Sequence, residues 1–339
     1  MAMLKHSSRA FIGLILSLVA CCCDNWVVDA DDLPPLYLTI VIHTEEDTAQ
    51  GVFPKANIPN YDGDEALMRH FAMAMTAFAQ MAARHGAVIS FGSDWTFSRG
   101  VALYEPDFYA NIEALGHDVD AHAHESHVLY RQVREEIAAA GGHPTRVASG
   151  LNEEEIQERL TYFDTAAPEF QVLWGISLPG HGAGECTAPW VWRPSRDDWT
   201  QHDPNGNYIY VGHGELVNSI QAVRQAAENR NPERMNTIAV FTTPREFKAA
   251  LGSAGLDEAW TASKDSVEYW ENRIAWWDNF LAQIASLRDA GIVEFATVRE
   301  IAAIFEEREA DLRFNWEDVP RSALSLRTRN LKADYPLEN

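Results

Sequence analysis

The chain has 339 residues, 46% apolar and 23% charged, with 50 Asp and Glu against 27 Lys and Arg and a formal charge of −23. So many apolar residues, with 11 Trp, 15 Phe and 10 Tyr, exclude a disordered, collagenous or cysteine-stapled chain and require a large buried core. The charge argues against nucleic acid as a partner, because phosphate binding depends on clustered Lys and Arg.

The first segment reads as an address. Residues 1–10 carry Lys5 and Arg9 and no acid, and an apolar run follows at 11–20. That run is shorter than the roughly 20 residues a bilayer-spanning helix needs, so it is read as a secretory signal. Leu18-Val19-Ala20-Cys21 matches the lipobox of bacterial lipoproteins. Residues 1–20 are therefore expected to be removed and Cys21 lipidated, as the protein's only attachment to a membrane, with the body facing the periplasm or the cell surface. Removal leaves −25 over 319 residues. Three of the four cysteines sit at Cys21, Cys22 and Cys23, and only Cys186 lies in the body; no disulfide framework is available to hold the fold. Residues 21–35 read as an acidic tether closed by Pro34 and Pro35.

From residue 36, short apolar runs alternate with longer segments of helical period, the pattern of repeated βα units. The predicted elements in chain order are a strand at 36–42, a helix at 64–85, a strand at 87–91, a helix at 106–115, a strand at 118–121, a helix at 151–163, strands at 171–177, 208–211 and 237–241, a helix from about 263 to 290, a strand at 293–296 and a helix at 298–307. In the first helix Leu67, Phe71, Met75, Phe78 and Met81 make one apolar stripe, and Gly86 is placed to stop it in a left-handed conformation. Glu153, Glu154 and Glu155 suit a first turn. Trp270, Trp276, Trp277 and Phe280 give the long helix an aromatic stripe that must be covered, most simply by the barrel. Thr297 and Glu300 form a capping box for the last helix. No repeat or linker divides residues 36–317, so one domain is expected there, an α/β barrel, with 318–339 as a surface tail or strap.

The chemistry concentrates at two strand ends. Residues 117–127 hold four of the twelve histidines. His122 and His124, two apart on an extended chain, point to one side, and His127 follows where the chain should turn. Two neutral imidazoles with a carboxylate from a neighbouring strand are a common way to hold Zn²⁺ or a similar divalent ion. His117 is expected to begin the strand in a structural role. The second cluster, His43-Thr44-Glu45-Glu46-Asp47, follows the first strand; adjacent acids there repel one another unless solvated or neutralised by a cation. If the strands are parallel and adjacent, both clusters meet at the carboxyl-end mouth where barrel active sites form.

At these residues the chain resembles the polysaccharide deacetylase superfamily, carbohydrate esterase family 4 and its NodB-homology relatives. The segments that carry the resemblance are LTIVIHTEED at 38–47, AVISFGSDW at 87–95, GHDVDAHAH at 116–124, WRPS at 192–195 and GIVEFATVREI at 291–301. They occur in the family's order and span roughly residues 36–305. The resemblance implies a distorted (β/α)7 barrel holding one divalent metal, most simply zinc, with a carboxylate that activates a metal-bound water against the acetamide of an N-acetylated sugar.

Carried over by position, His122 and His124 match the metal histidines, with His127 as the alternate ligand. His43 stands where the family has an acid, which implies a three-histidine site of His43, His122 and His124 with a fourth position open to water. Glu45 becomes the base, with Glu46 second and Asp47 third. Arg193 takes the role of orienting the base, against a surface ion pair with Asp197 or Asp198. His213 or His181 would replace the family's late histidine, which protonates the leaving amine. Trp190, Trp192 and Trp199 either stack on sugar faces or pack in the core. The resemblance thus implies a metal-dependent hydrolase acting on a glycan or small amino sugar. Two rivals remain: a barrel that binds glycans with a degraded site, and a glycoside hydrolase using Glu45 or Glu46 with a distant carboxylate.

Overall fold

The strand β1 (Leu36–His43) is buried along its whole length, as expected of a central strand with near-continuous apolar sequence. In the computed structural model, which describes residues 33–44, 61–123, 129–151, 156–175, 190–199, 201–214, 216–243 and 267–312, β1 organises the sheet. It pairs in parallel with β8 (Asn236–Thr242) on one side. On the other it pairs with β9 (Val293–Phe295) at its start and β2 (Ile89–Ser93) at its end. From β2 the sheet runs through β3 (Asp118–His122), β4 (Val147–Leu151), β5 (Val172–Gly175) and β7 (Ile209–Val211) to β6 (Val191–Trp192). Only β6 is antiparallel to its neighbour.

The chain beyond β7 narrows the remaining gap. Val217 N–H donates to the Ala239 carbonyl at 2.9 Å, and the Thr237 hydroxyl donates to the Gly212 carbonyl at 2.6 Å. The result is a distorted, nearly closed α/β barrel flanked by helices.

Eight α-helices connect these strands among the described residues. They are α1 (Glu65–Arg84), α2 (Trp95–Tyr104), α3 (Phe108–Ala114), α4 (Tyr130–Ala139), α5 (Ile156–Ala166), α6 (Ile220–Glu228), α7 (Val267–Asp289) and α8 (Val298–Arg308). Sequence signals set their ends. Asp64 accepts from Leu67 N–H at 2.9 Å, and Gly86 ends α1 at φ +70°. Thr297 and Glu300 close a reciprocal capping box, at 3.2 and 2.9 Å. The aromatic stripe of α7 is covered in part by α1: the Trp277 ring lies 5.2 Å from that of Phe78, edge to face, and Phe280, Leu281 and Ile284 are buried.

Because strand side chains alternate, the sheet separates two apolar clusters. Leu36, Leu38, Ile40 and Ile42 of β1 pack outward with Phe71, Met75 and Phe78 of α1. Tyr37 and Val41 face inward with Val172, Trp174, Ile209 and Val211. Val298, Ile301, Ala302 and Phe305 of α8 join this inner cluster, so α8 plugs the end of the barrel where the strands begin. Its Arg299 makes a two-pronged ion pair with Asp118, the first residue of β3, with both contacts at 2.9 Å.

All seven predicted strands are present. Two more, β4 and β6, were not anticipated, and Leu151, expected to open a helix, instead ends β4; α5 begins at Ile156. The leader, the cysteine cluster, Glu45, Glu46, Asp47, His124, His127, His181, Cys186 and the tail at 318–339 lie outside the described residues.

Candidate active site at the barrel mouth

His43 is the last residue of β1 and His122 the last of β3, so the parallel sheet brings both to its carboxyl end. Both are about 1% exposed. β2 lies between their strands, and its residue opposite His43 is Gly92. A Cβ at Gly92 would come within 2.6 Å of the His43 ring, so the glycine makes room for the imidazole to lean toward His122. The two rings stack, with centroids 3.8 Å apart and planes 19° from parallel.

One strand further on, β4 holds both rings. The Ser149 hydroxyl lies 3.0 Å from His43 Nε2, and the Ser149 carbonyl lies 2.9 Å from His122 Nδ1. Tyr130 Oη–H donates to the same carbonyl at 2.9 Å. The next residue, Gly150, has φ +79°, and the β4–β5 register shifts between Ser149 and Leu151. A Cβ at Gly150 would approach His43 Cε1 to 2.6 Å and the His122 ring more closely still. Glycine is required there both by the left-handed backbone and by the space the rings occupy.

Aromatic residues wall the pair. Trp174 of β5 meets His43 edge to face at 5.6 Å, and Phe241 of β8 does so at 4.9 Å. His213, two residues past β7, has its ring 5.6 Å from that of Trp174. Its complete burial lowers its pKa to about 4, because removing water penalises the charged imidazolium. His213 is therefore neutral at neutral pH. Below the histidines, on the same face of β3 as His122, Asp120 is fully buried, accepting from Thr145 Oγ1. Its pKa is raised to about 8, first by burial and then by the neighbouring Asp118.

The sequence-predicted residues separate into groups. His43, His122 and His213 are brought to one mouth. Arg193 is not: it follows antiparallel β6, whose Trp192 is opposite Tyr210, and so sits near the amino end of β7. There Arg193 Nε contacts both Glu309 carboxylate oxygens at 2.8 and 2.9 Å. An ion pair to Glu309, in the segment after α8, holds it near the end of the barrel where the strands begin, and Asp197 and Asp198 are not its partners in that pair. His117 is structural as expected, accepting from Ile89 N–H at 3.2 Å and donating to the Ala79 carbonyl at 3.0 Å. Trp192 is fully buried and its indole N–H donates to the Trp199 carbonyl at 2.8 Å, so it packs rather than serving as an open sugar platform. Ser149 and Gly150 were missed: in VASGL the small residues leave no apolar run to mark a strand.

The pair can be tested against a metal ion. A carbonyl only accepts, so His122 carries its proton on Nδ1 and turns the Nε2 lone pair to the other side, the arrangement a metal-binding imidazole needs. Imidazole lone pairs lie in the ring plane. The planes of two stacked rings whose centroids lie 3.8 Å apart and that tilt by only 19° do not meet at about 2.1 Å from a nitrogen of each. As placed, the pair therefore offers one ligand direction, that of His122, with His43 lying on its face. No group of three or more His, Cys, Asp and Glu side chains able to hold an ion occurs among the described residues; the other expected donors lie outside them.

No protein-family model and no curated protein matches the sequence. Among solved structures the fold is similar to a 4-α-glucanotransferase from Thermococcus litoralis, at 10% identity and a TM-score of 0.49, over 79% of this chain and 40% of that one. This chain thus spans about two fifths of the glucanotransferase. A probable polysaccharide deacetylase from Pseudomonas aeruginosa PAO1 aligns at 11% identity and a TM-score of 0.49, over 84% of this chain and 94% of that one. The PuuE allantoinase aligns at 12% and 0.47, over 80% and 90%. Likeness at this level decides nothing about chemistry, which has to come from the side chains.

Proposed function

We propose that the protein is a metal-dependent hydrolase of the polysaccharide deacetylase type, removing acetyl groups from N-acetylated sugars. The observation that carries the reading is the presentation of His122 at the carboxyl end of β3, its Nδ1 proton fixed by the Ser149 carbonyl beside His43. The order of the GHDVDAHAH and FATVREI segments supports it. In this reading His122 holds the ion through Nε2, with His124 or His127 and the acids Glu45 and Glu46 supplying the remaining ligands and the base. A bound divalent ion would supply Lewis acidity and a water of lowered pKa.

The chain's own residues set the conditions for that chemistry. His43 and Trp174 dry one side of the mouth, which strengthens every charge interaction within it. His213, neutral at pH 7, accepts or donates a hydrogen bond there; it protonates a leaving amine only after first taking up a proton, so it holds no proton in reserve.

Metal analysis of the purified full-length protein beside a His122→Ala variant tests the reading. About one equivalent of divalent ion in the parent, lost in the variant, together with acetate release from N-acetylated oligosaccharides, is the expected outcome. A folded parent that stays empty after incubation with Zn²⁺ or Co²⁺ would sink it in favour of a glycan-binding barrel.

A further inference from the structure

We propose that the Ser149–Gly150 step of β4 is a positioning element that fixes the tautomer of His122 and the ring plane of both histidines. The inference deepens the hydrolase reading and rests on it for the purpose of the device, though not for the geometry. The backbone at Gly150 is left-handed, at φ +79°, and the register with β5 slips there. The Ser149 carbonyl lies against His122 Nδ1, while the hydroxyl of the same residue reaches His43 Nε2. One residue thus sets two rings by two different groups.

The consequences differ for the two histidines. A carbonyl has no proton to give, so His122 carries hydrogen on Nδ1 and its Nε2 is the acceptor nitrogen. The carbonyl's other donor, Tyr130 Oη–H at 2.9 Å, fixes its direction from the α4 side. For His43 the hydroxyl engages Nε2, which holds the ring face to face with His122 and leaves Nδ1 as the nitrogen turned elsewhere. Gly150 is the only residue type that permits this, since any Cβ would enter the space of both rings. Ser149 is a positioning residue in this account, acting through the histidines.

The test is ¹⁵N NMR of the metal-free, full-length protein labelled at histidine, with His43→Asn and His122→Asn used for assignment. The expected result is a parent in which His122 is protonated on Nδ1. Ser149→Ala should leave the His122 tautomer unchanged, because the carbonyl remains, and move the His43 Nε2 signal, because its hydrogen-bond partner at 3.0 Å is gone; Ser149→Thr should restore it.

A parent with the His122 proton on Nε2 overturns the proposal, and so does a Ser149→Ala variant whose His43 signals do not move. The parent spectrum needs no variant to fold and no substrate. A protein that releases no acetate but shows the Nδ1 tautomer loses the hydrolase reading alone, whereas an active one with the Nε2 tautomer loses this proposal alone.

Discussion

Among the described residues, Asp120 is shifted far from its ordinary solution behaviour. Its carboxyl is fully buried on the inner face of β3, accepting from Thr145, next to an Asp118 that Arg299 already neutralises. Burial and Asp118 together raise its pKa from 3.8 to about 8. The folded state therefore keeps a proton that the unfolded chain gives up near 3.8, and the unfolded state binds fewer protons throughout that interval. Stability falls as pH rises from about 4 to about 8, by up to about 1.4 kcal/mol per unit for one fully retained proton, and levels off above. Asp120→Asn mimics the neutral acid and should flatten that slope. Urea midpoints taken between about pH 5 and 8 decide it; equal slopes in parent and variant would mean that the carboxyl ionises normally. The same column makes Arg299 a stability residue. Arg299→Met leaves Asp118 without its cation beside Asp120, and a loss of about 1–2 kcal/mol is expected, below the value for a fully buried pair because the arginine is half exposed. An unchanged urea midpoint would show that solvent neutralises Asp118 equally well.

At the scale of elements, α8 links the floor of the barrel to its sheet. Thr297 caps it, is fully buried, and receives Glu300 N–H while Glu300 returns to the Thr297 amide. Thr297→Ala should cost about 1 kcal/mol, the usual cost of losing a cap; a change under about 0.5 kcal/mol in urea unfolding would mean that the helix end relaxes freely. The capping box was legible because its residues lie three apart. β1 was legible because LYLTIVI is a nearly continuous run of apolar and β-branched residues, and β8 for the same reason. β4 was not: in VASGL the small residues Ala148, Ser149 and Gly150 erase the apolar run, and Leu151 reads as the first residue of the following helix. The smallness that hid the strand is what lets the two histidines stack against it. His43 and His122 were legible as site residues from their positions at strand ends. That they would stack was not, because it depends on a third strand more than 25 residues away in sequence from His122. The place of Arg193 was not legible, because an Arg-Pro pair says nothing about direction; antiparallel β6 carries it toward the amino end of β7.

At the scale of the whole molecule, charge is the dominant unbalanced quantity. Fifty acids face 27 basic residues, and several of the latter are already committed to local pairs: Arg131 with Glu169, Arg99 with Glu136, Arg193 with Glu309 and Arg299 with Asp118. What remains is a large net negative charge, and self-repulsion of that kind favours expansion of the chain. The nearly closed barrel opposes it through two apolar clusters, which salt affects little. Screening should therefore stabilise the fold: as the Debye length falls from about 30 Å at 0.01 M to about 3 Å at 1 M, the repulsion between distant carboxylates is removed while pairs in contact survive. Thermal unfolding followed in increasing NaCl should show a rising midpoint over most of that range. Adding Lys in place of exposed Glu, as in Glu135→Lys with Glu228→Lys, should raise the low-salt midpoint and reduce the salt gain together. A midpoint that is flat or falls with salt in the parent would mean that attractive pairs outweigh the net charge, and that the acidity is carried by segments too far from the barrel to strain it.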